Sequence, residues 1–351
     1  MIGLLTSAVS LERLRTLGVA AAGTLVAWVL GLPLPFLFGP LGACLVTAMA
    51  GMRLRAFGQV SIAARTILGV AVGASITPSL IGTLPQMAAS VALIPLYIAV
   101  IALVGVPFFH RVCGFDKATA WYAAMPGGLQ DMVIFGTEAG GDPRALSLIH
   151  ATRVLVVVSI APLILTFGMG ASLSSPMGPP ARDLPVNEIA LMALAALVGW
   201  KGGERVGLFG ASILGPMIMT AALSLSGLIH TRPPAEAILF AQFMIGISIG
   251  VGYVGITFAE FRKDVLAGIA FVLVLAALAT FFTEIVVIFG LAPPMEGFLA
   301  FAPGGQAEMT VLAIVAGADL GYVIVHHLLR MFLVITCAPL AAKFLYSLAK
   351  K

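Results

Sequence analysis

Charge is what this chain has least of. Only 10% of its 351 residues are charged, 19 Lys and Arg against 15 Asp and Glu. Soluble domains carry about 25%, so a water-soluble globule is excluded. The net charge of +4 is small, and the basic residues sit in short loops. That pattern orients a chain in a membrane and excludes nucleic acid as a partner. Cysteine is scarce: Cys44, Cys113 and Cys337 stand far apart, which excludes a disulfide framework and reads as small apolar side chains. Of the five histidines only His326 and His327 are adjacent, and none has H-E-x-x-H spacing, so neither a metal nor another cofactor is expected. There is no ATP-binding motif and no extramembrane stretch long enough to fold alone. The long runs 85–109 and 265–292 lack the alternation of barrel strands and read as helices.

What the chain has is apolar length. Sixty per cent of it is hydrophobic, and the mean hydropathy is +1.11. A spanning helix takes roughly 20 apolar residues, so on the order of ten spans fit. The basic stretch around Arg13 and Arg15 precedes an apolar run without a convincing cleavage site, so that run is expected to be the first span.

The sequence also repeats itself at an offset of 176–177 residues. Gly39-Pro40 and Gly51 recur as Gly215-Pro216 and Gly227, and Gly69 and Gly73 recur as Gly246 and Gly250. MPGGLQDM (125–132) recurs as APGGQAEM (302–309), and the pair His150/Arg153 recurs as His327/Arg330. Two membrane repeats follow, 1–169 and 188–351, joined by a Ser/Pro/Gly-rich linker at 170–187. The Gly-x-x-x-Gly pairs at 69/73 and 246/250 read as helix-packing sites.

Each half shows five long apolar segments, near 13–32, 33–52, 59–79, 85–109 and 144–168, then 187–206, 208–229, 235–257, 265–292 and 320–346. Between the fourth and fifth lies a shorter stretch, 117–140 or 296–317, broken by Pro-Gly-Gly. Proline removes a helical donor and glycine loosens the backbone. The broken stretch either crosses the membrane or enters and leaves by one side. If it re-enters, fourteen of the sixteen basic residues outside apolar segments fall inside, leaving Arg182 and Arg232 outside. If it crosses, the division is eleven to five. The expected fold is therefore an all-α integral membrane protein. It has two inverted repeats of about five transmembrane helices, each with a re-entrant hairpin, and both termini are cytoplasmic.

Irregular backbone at membrane depth must be covered by protein or line a wet cavity. Pro126, Gly127 and Gly128, with Pro303, Gly304 and Gly305, are therefore candidates to bind a solute or cation near the midplane. Asp131 and Glu308 follow the breaks at matching positions. A buried charge costs about 2.5–3.5 kcal/mol, so these acids either bind a cation or proton, cap the half-helix, or pair with arginine. His150 and Arg153, and likewise His327 and Arg330, share a helix face at i, i+3. Arg153 and Arg330 lie roughly 13 and 15 Å from their helix starts, near the centre of a core about 30 Å thick. They suit an anion held in the guanidinium fork, or a buried pair with Asp131 and Glu308. Gln130 and Gln306 are polar contacts beside the breaks, and Thr137, Glu138 and Asp142 are candidates to cap the first exit. Glu284 reads equally as a proton carrier or a surface residue.

With both Pro-Gly-Gly motifs and both His-x-x-Arg motifs in view, the chain resembles the AbrB family of prokaryotic membrane proteins, defined by a duplicated membrane domain. The resemblance covers nearly the whole chain and implies a multi-pass protein similar to transporters. Some members carry an ammonia monooxygenase label, but a copper oxygenase needs clustered histidines, so no enzyme is expected. One branch carries a gene-regulator label, yet no basic DNA-reading element stands outside the membrane.

The expected function is a secondary transporter in the prokaryotic plasma membrane. It would move a small anionic solute by alternating access, coupled to a proton or cation gradient. Its partners are that solute or ion and the lipid bilayer, with a homodimer as a further expectation. The alternative is a membrane-embedded sensor or regulator of gene expression acting through a partner, against which the short loops count.

Overall fold

The computed structural model describes residues 10–32, 34–173, 178–208 and 210–348. Among these every regular element is helical. The first half contains α1 (Leu11–Val29), α2 (Pro35–Met49), α3 (Gln59–Ala74), α4 (Pro78–Val91), α5 (Leu93–Pro107), α6 (Lys117–Ala124), α7 (Leu129–Glu138) and α8 (Pro143–Leu163). The second contains α9 (Val186–Arg205), α10 (Ala211–Leu225), α11 (Ala235–Val251), α12 (Leu266–Ile288), α13 (Pro294–Phe301), α14 (Gln306–Ala316) and α15 (Leu320–Leu348).

Local chemistry sets the helix ends. Proline opens α2, α8 and α13, where its missing N–H costs nothing. Asp116 caps α6 by accepting from Thr119 N at 2.9 Å. Asp142 caps α8 by accepting from Arg144 N and Ala145 N at 2.8 and 3.1 Å. Gly140 and Gly317 follow α7 and α14 at φ 87° and 70°, a conformation that glycine adopts without strain. The apolar segment expected at 59–79 is shorter in the structure: α3 stops at Ala74 because Pro78 disfavours helix before it and starts α4.

Among the described residues four helical stretches are long and apolar enough to cross a membrane: Leu80–Val112, Pro143–Gly168, Phe258–Ile288 and Leu320–Ala342. The helices α2, α3, α10 and α11 are also apolar but have only 15–17 residues. At 1.5 Å per residue they reach about 23–26 Å.

The chain divides into two compact units, and neither is a half of the sequence. The first holds the chain up to Gly82, with Ser172–Ile256 and Ile314–Leu320. The second holds Thr83–Ala171, Thr257–Ala313 and the chain from Gly321. Each unit is thus assembled from both copies of the repeat.

The first unit makes each of its close helix crossings twice. A Cβ on Gly23 of α1 would strike the Gly39 carbonyl of α2, and one on Gly199 of α9 would strike that of Gly215 in α10. Gly69 and Gly73 of α3 lie against Ile213 and Met217 of α10. Gly246 and Gly250 of α11 lie against Leu37 and Leu41 of α2. Glycine here lets backbones touch, as the Gly-x-x-x-Gly spacing predicts. Cys44 is fully buried in this seam, beside Gly250. The second unit contains α5–α8 and α12–α15, and with them both broken stretches and both His-x-x-Arg pairs.

Candidate functional site

The site begins with a proline. Pro126 forces Met125 into extended backbone (φ −67°, ψ 132°), which ends α6. Gly128 is extended too (φ −65°, ψ 144°), and α7 starts at the next residue. In the second copy Ala302, before Pro303, has φ −53° and ψ 135°, and α14 starts after Gly305. None of these four glycines has a positive φ. They leave room for neighbouring side chains rather than making a left-handed turn. A Cβ on Gly127 or Gly304 would run into the thioether of Met132 or Met309. One on Gly128 or Gly305 would collide with the carboxylate of Asp131 or Glu308.

A broken helix leaves backbone carbonyls without intrahelical partners. The His-x-x-Arg pair supplies the donors. His150 Nε2 meets the Tyr122 carbonyl at 3.0 Å. Arg153 donates from Nη1 to the Met125 carbonyl at 3.1 Å and from Nη2 to the Gly127 carbonyl. In the second copy His327 Nε2 meets the Leu299 carbonyl at 2.8 Å. Arg330 donates from Nη1 to Ala302 and from Nη2 to Gly304, at 2.7 and 2.8 Å. The separations are the same in both copies: 28 residues for the histidine, then 28 and 26 for the arginine. Each guanidinium therefore closes a clamp over its own break. All four side chains are buried, the two arginines at 4% exposure.

The placement of charge follows the half-helices. The C-terminal ends of α6 and α13 carry partial negative charge, and each receives an arginine. Asp131 and Glu308 occupy the third position of α7 and α14, against the glycine that precedes each helix. An acid there complements the positive N-terminal end. An acid and an arginine thus sit at complementary poles of each break.

The copies differ around the histidine. Arg330 Nη2 also approaches His327 Nδ1 at 2.8 Å. His150 Nδ1 and Arg153 Nε are buried with no hydrogen-bond partner. The two clamps are also near one another. Arg153 lies in Coulombic reach of Arg330, of Glu308 and of Tyr97, and Tyr97 lies in reach of both arginines.

Tyr97 is the residue that sequence reasoning missed. It comes from α5, is fully buried, and donates from its hydroxyl to the Phe301 carbonyl at 2.8 Å. Its ring packs on Phe282 and Phe301, with centroids 5.0 and 5.4 Å away. The available signal was one tyrosine hydroxyl in the aliphatic run LIPLYIAVIALVG. The other expected contacts are placed as follows. Gln306 opens α14, and its carbonyl accepts from Thr310. Gln130 lies in α7, and its side chain is outside the described residues. Asp142 caps α8, Thr137 donates to the Val133 carbonyl within α7, and Glu138 is the last residue of α7. Glu284 is exposed on α12, and His326 is held by Ser90 Oγ and the Tyr322 carbonyl.

Entry and exit of the first broken stretch adjoin. Asp142 N donates to Thr119 Oγ1 at 2.8 Å, joining the start of α6 to the residue after the α7 exit. Further along, Gly136 faces Tyr122. In the second copy Glu296, near the start of α13, lies in Coulombic reach of Tyr322, near the start of α15.

This arrangement sits within a sequence that has known relatives. The AbrB family model, described as "Transition state regulatory protein AbrB", matches residues 36–346. A protein of Escherichia coli (strain K12) named "Putative regulator AbrB" is 27% identical over 328 residues, covering 91% of this chain and 92% of that protein. "Uncharacterized protein YhjN" of Bacillus subtilis (strain 168) is 25% identical over 363 residues, covering 96% of this chain and 94% of that protein.

Proposed function

The chain belongs to the AbrB family, and from that premise and the paired clamps we propose that it is a secondary transporter of the prokaryotic plasma membrane. It moves a small anionic solute, with a proton or cation as the coupling species. The observation that carries the reading is the convergence of two buried guanidiniums, one from each copy, within reach of each other, with Glu308 in reach of Arg153. Two like charges taken out of water repel, and an anion between them relieves that repulsion. His150 Nδ1 and Arg153 Nε, buried without a hydrogen-bond partner, are polar atoms left for a solute, and Asp131 and Glu308 are the groups that exchange a proton or cation with it.

The same reading makes the broken stretches re-entrant and the repeats inverted. The bond from Asp142 to Thr119 supports a hairpin whose two ends lie together. Two helices of 8 and 10 residues reach about 12 and 15 Å, half of a core about 30 Å thick. Two such hairpins entering from opposite sides bring their tips to one depth, and motion of one bundle against the other exposes that depth alternately. The division of basic residues places the first hairpin's opening, with both termini, on the cytoplasmic side.

Purified protein in liposomes, given an inward anion gradient or a pH gradient, is expected to accumulate at least one labelled small carboxylate or inorganic anion. Asp131→Asn and Glu308→Gln are expected to abolish gradient-driven accumulation. Equal uptake by empty liposomes, across a panel spanning mono- and dicarboxylates, phosphate and sulfate, would refute the transporter. Undiminished uptake by both variants would refute the role of the acids. The regulator wording of the family description supports a second reading, a membrane sensor acting through a partner; that protein would pass every binding test yet move no solute.

A further inference from the structure

We propose that the cavity at the start of the Phe258–Ile288 span is a docking site for the headgroup of an anionic phospholipid. The cavity has a volume of about 530 Å³ and is lined by Phe258, Ala259, Arg262 and Lys263. The local fold builds it. Thr257 and Glu260 form a capping box over a short helix, Phe258–Glu260, and the chain continues as a wide π-turn, Phe261–Val265. That turn contributes Arg262 and Lys263 to the lining, beside Phe258, which is 79% exposed.

The cavity lining holds two cations and no acid. The nearby acids are Asp264, buried in the same turn and in Coulombic reach of Lys263, and Glu260, which has both carboxylate oxygens occupied. One accepts from Arg144 Nε at 2.7 Å, the other from Thr257 N and Oγ1. Lys263 is held over the Phe115 ring, its Nζ 4.5 Å from the centroid. Arg262 is exposed and has no ion pair or hydrogen bond among the described residues. A guanidinium and an ammonium facing one hollow fit a phosphodiester, which offers two anionic oxygens to N–H donors.

The neighbouring surface says which phosphate. The cavity is at the end of a helix apolar enough to cross a membrane, and an exposed phenylalanine in its lining fits an acyl chain rather than water. A free phosphate would leave Phe258 uncovered. None of the lining residues belongs to either Pro-Gly-Gly break, and retention of a lipid is read without any measurement of solute transport.

The test is native mass spectrometry of the full chain, released from nanodiscs containing phosphatidylglycerol and phosphatidylcholine in equal amounts. Wild type is expected to retain phosphatidylglycerol preferentially. A basic side chain near an anionic lipid surface contributes about a fivefold effect. Arg262→Gln, which removes a side chain with no structural partner, is therefore expected to lower retention about fivefold, and Arg262→Gln with Lys263→Gln roughly 30-fold. Phe258→Ala is expected to weaken retention without changing the preference for negative charge. Equal retention of both lipids by wild type would overturn the proposal, as would unchanged retention in Arg262→Gln. Full displacement of the lipid by millimolar inorganic phosphate would show a soluble-anion site instead.

Discussion

The difference between the two clamps has a measurable consequence. Arg153→Met removes the donors for the Met125 and Gly127 carbonyls. Arg330→Met removes those for Ala302 and Gly304 and also leaves His327 Nδ1 without Arg330 Nη2. A buried polar group left unsatisfied costs about 1–3 kcal/mol, so each variant loses about 2–6 kcal/mol from its two carbonyls. Removing a buried charge relieves its own desolvation cost. Both guanidiniums are 4% exposed, so that relief is of similar size, and Arg153→Met also removes a buried Nε that has no partner. That difference and the lost bond to His327 leave Arg330→Met the weaker by a further 1–3 kcal/mol or so. The assay is amide hydrogen exchange of the protein in nanodiscs, read at the first turns of α7 and α14. Relative to wild type, exchange at the start of α14 in Arg330→Met is expected to accelerate about 5- to 150-fold more than at the start of α7 in Arg153→Met. No acceleration in either variant would refute the reasoning that these arginines hold the breaks. Equal acceleration would refute the asymmetry.

Three further outcomes follow from the same geometry. Tyr97→Phe keeps the ring contacts but orphans the Phe301 carbonyl; it is expected to destabilise the second unit by about 1–3 kcal/mol in denaturant titrations, and an unchanged midpoint would contradict this. Gly69→Ala and Gly246→Ala press a methyl into the facing backbone at Ile213 and Leu37 and are each expected to cost about 1–3 kcal/mol, whereas Gly42→Ala, which meets open space in α2, is expected to be neutral or stabilising. Burial pushes the Cys113 thiol above its ordinary value of 9.0, with Lys263 partly offsetting it. The thiolate fraction is thus small at pH 7, so maleimide labelling of Cys113 is expected to be slow at pH 7 and to keep rising above pH 9.

The sequence showed the repeat, the helical breaks and the paired His-x-x-Arg motifs, because each is a matter of residue type and spacing. It did not show what the arginines touch. A guanidinium at membrane depth suggests a carboxylate or a ligand when only side chains are counted. The carbonyls that Pro126 and Pro303 set free are acceptors that every residue carries, so no letter marks them. The role of the Pro-Gly-Gly glycines was legible only in part. Their number pointed to a loose backbone, whereas the structure packs the ends of the Met132 and Asp131 side chains, a few residues downstream, against them. The compact units were hidden for a related reason. Gly69 and Gly246 announce a close crossing but not its partner, and each partner belongs to the other half of the chain. Tyr97 escaped because it has no counterpart in the repeat: the matching position is Val274.

The central claim is that the two copies present their broken hairpins to opposite sides of the membrane. Single-cysteine chains, with Cys44, Cys113 and Cys337 replaced by alanine, test it directly. Cysteine replaces Ala139 at the exit of the first hairpin or Asp319 at the exit of the second, both exposed positions. In intact cells an impermeant maleimide is expected to label Asp319→Cys, and to label Ala139→Cys only after permeabilisation. Labelling of both positions from the same side would contradict the account.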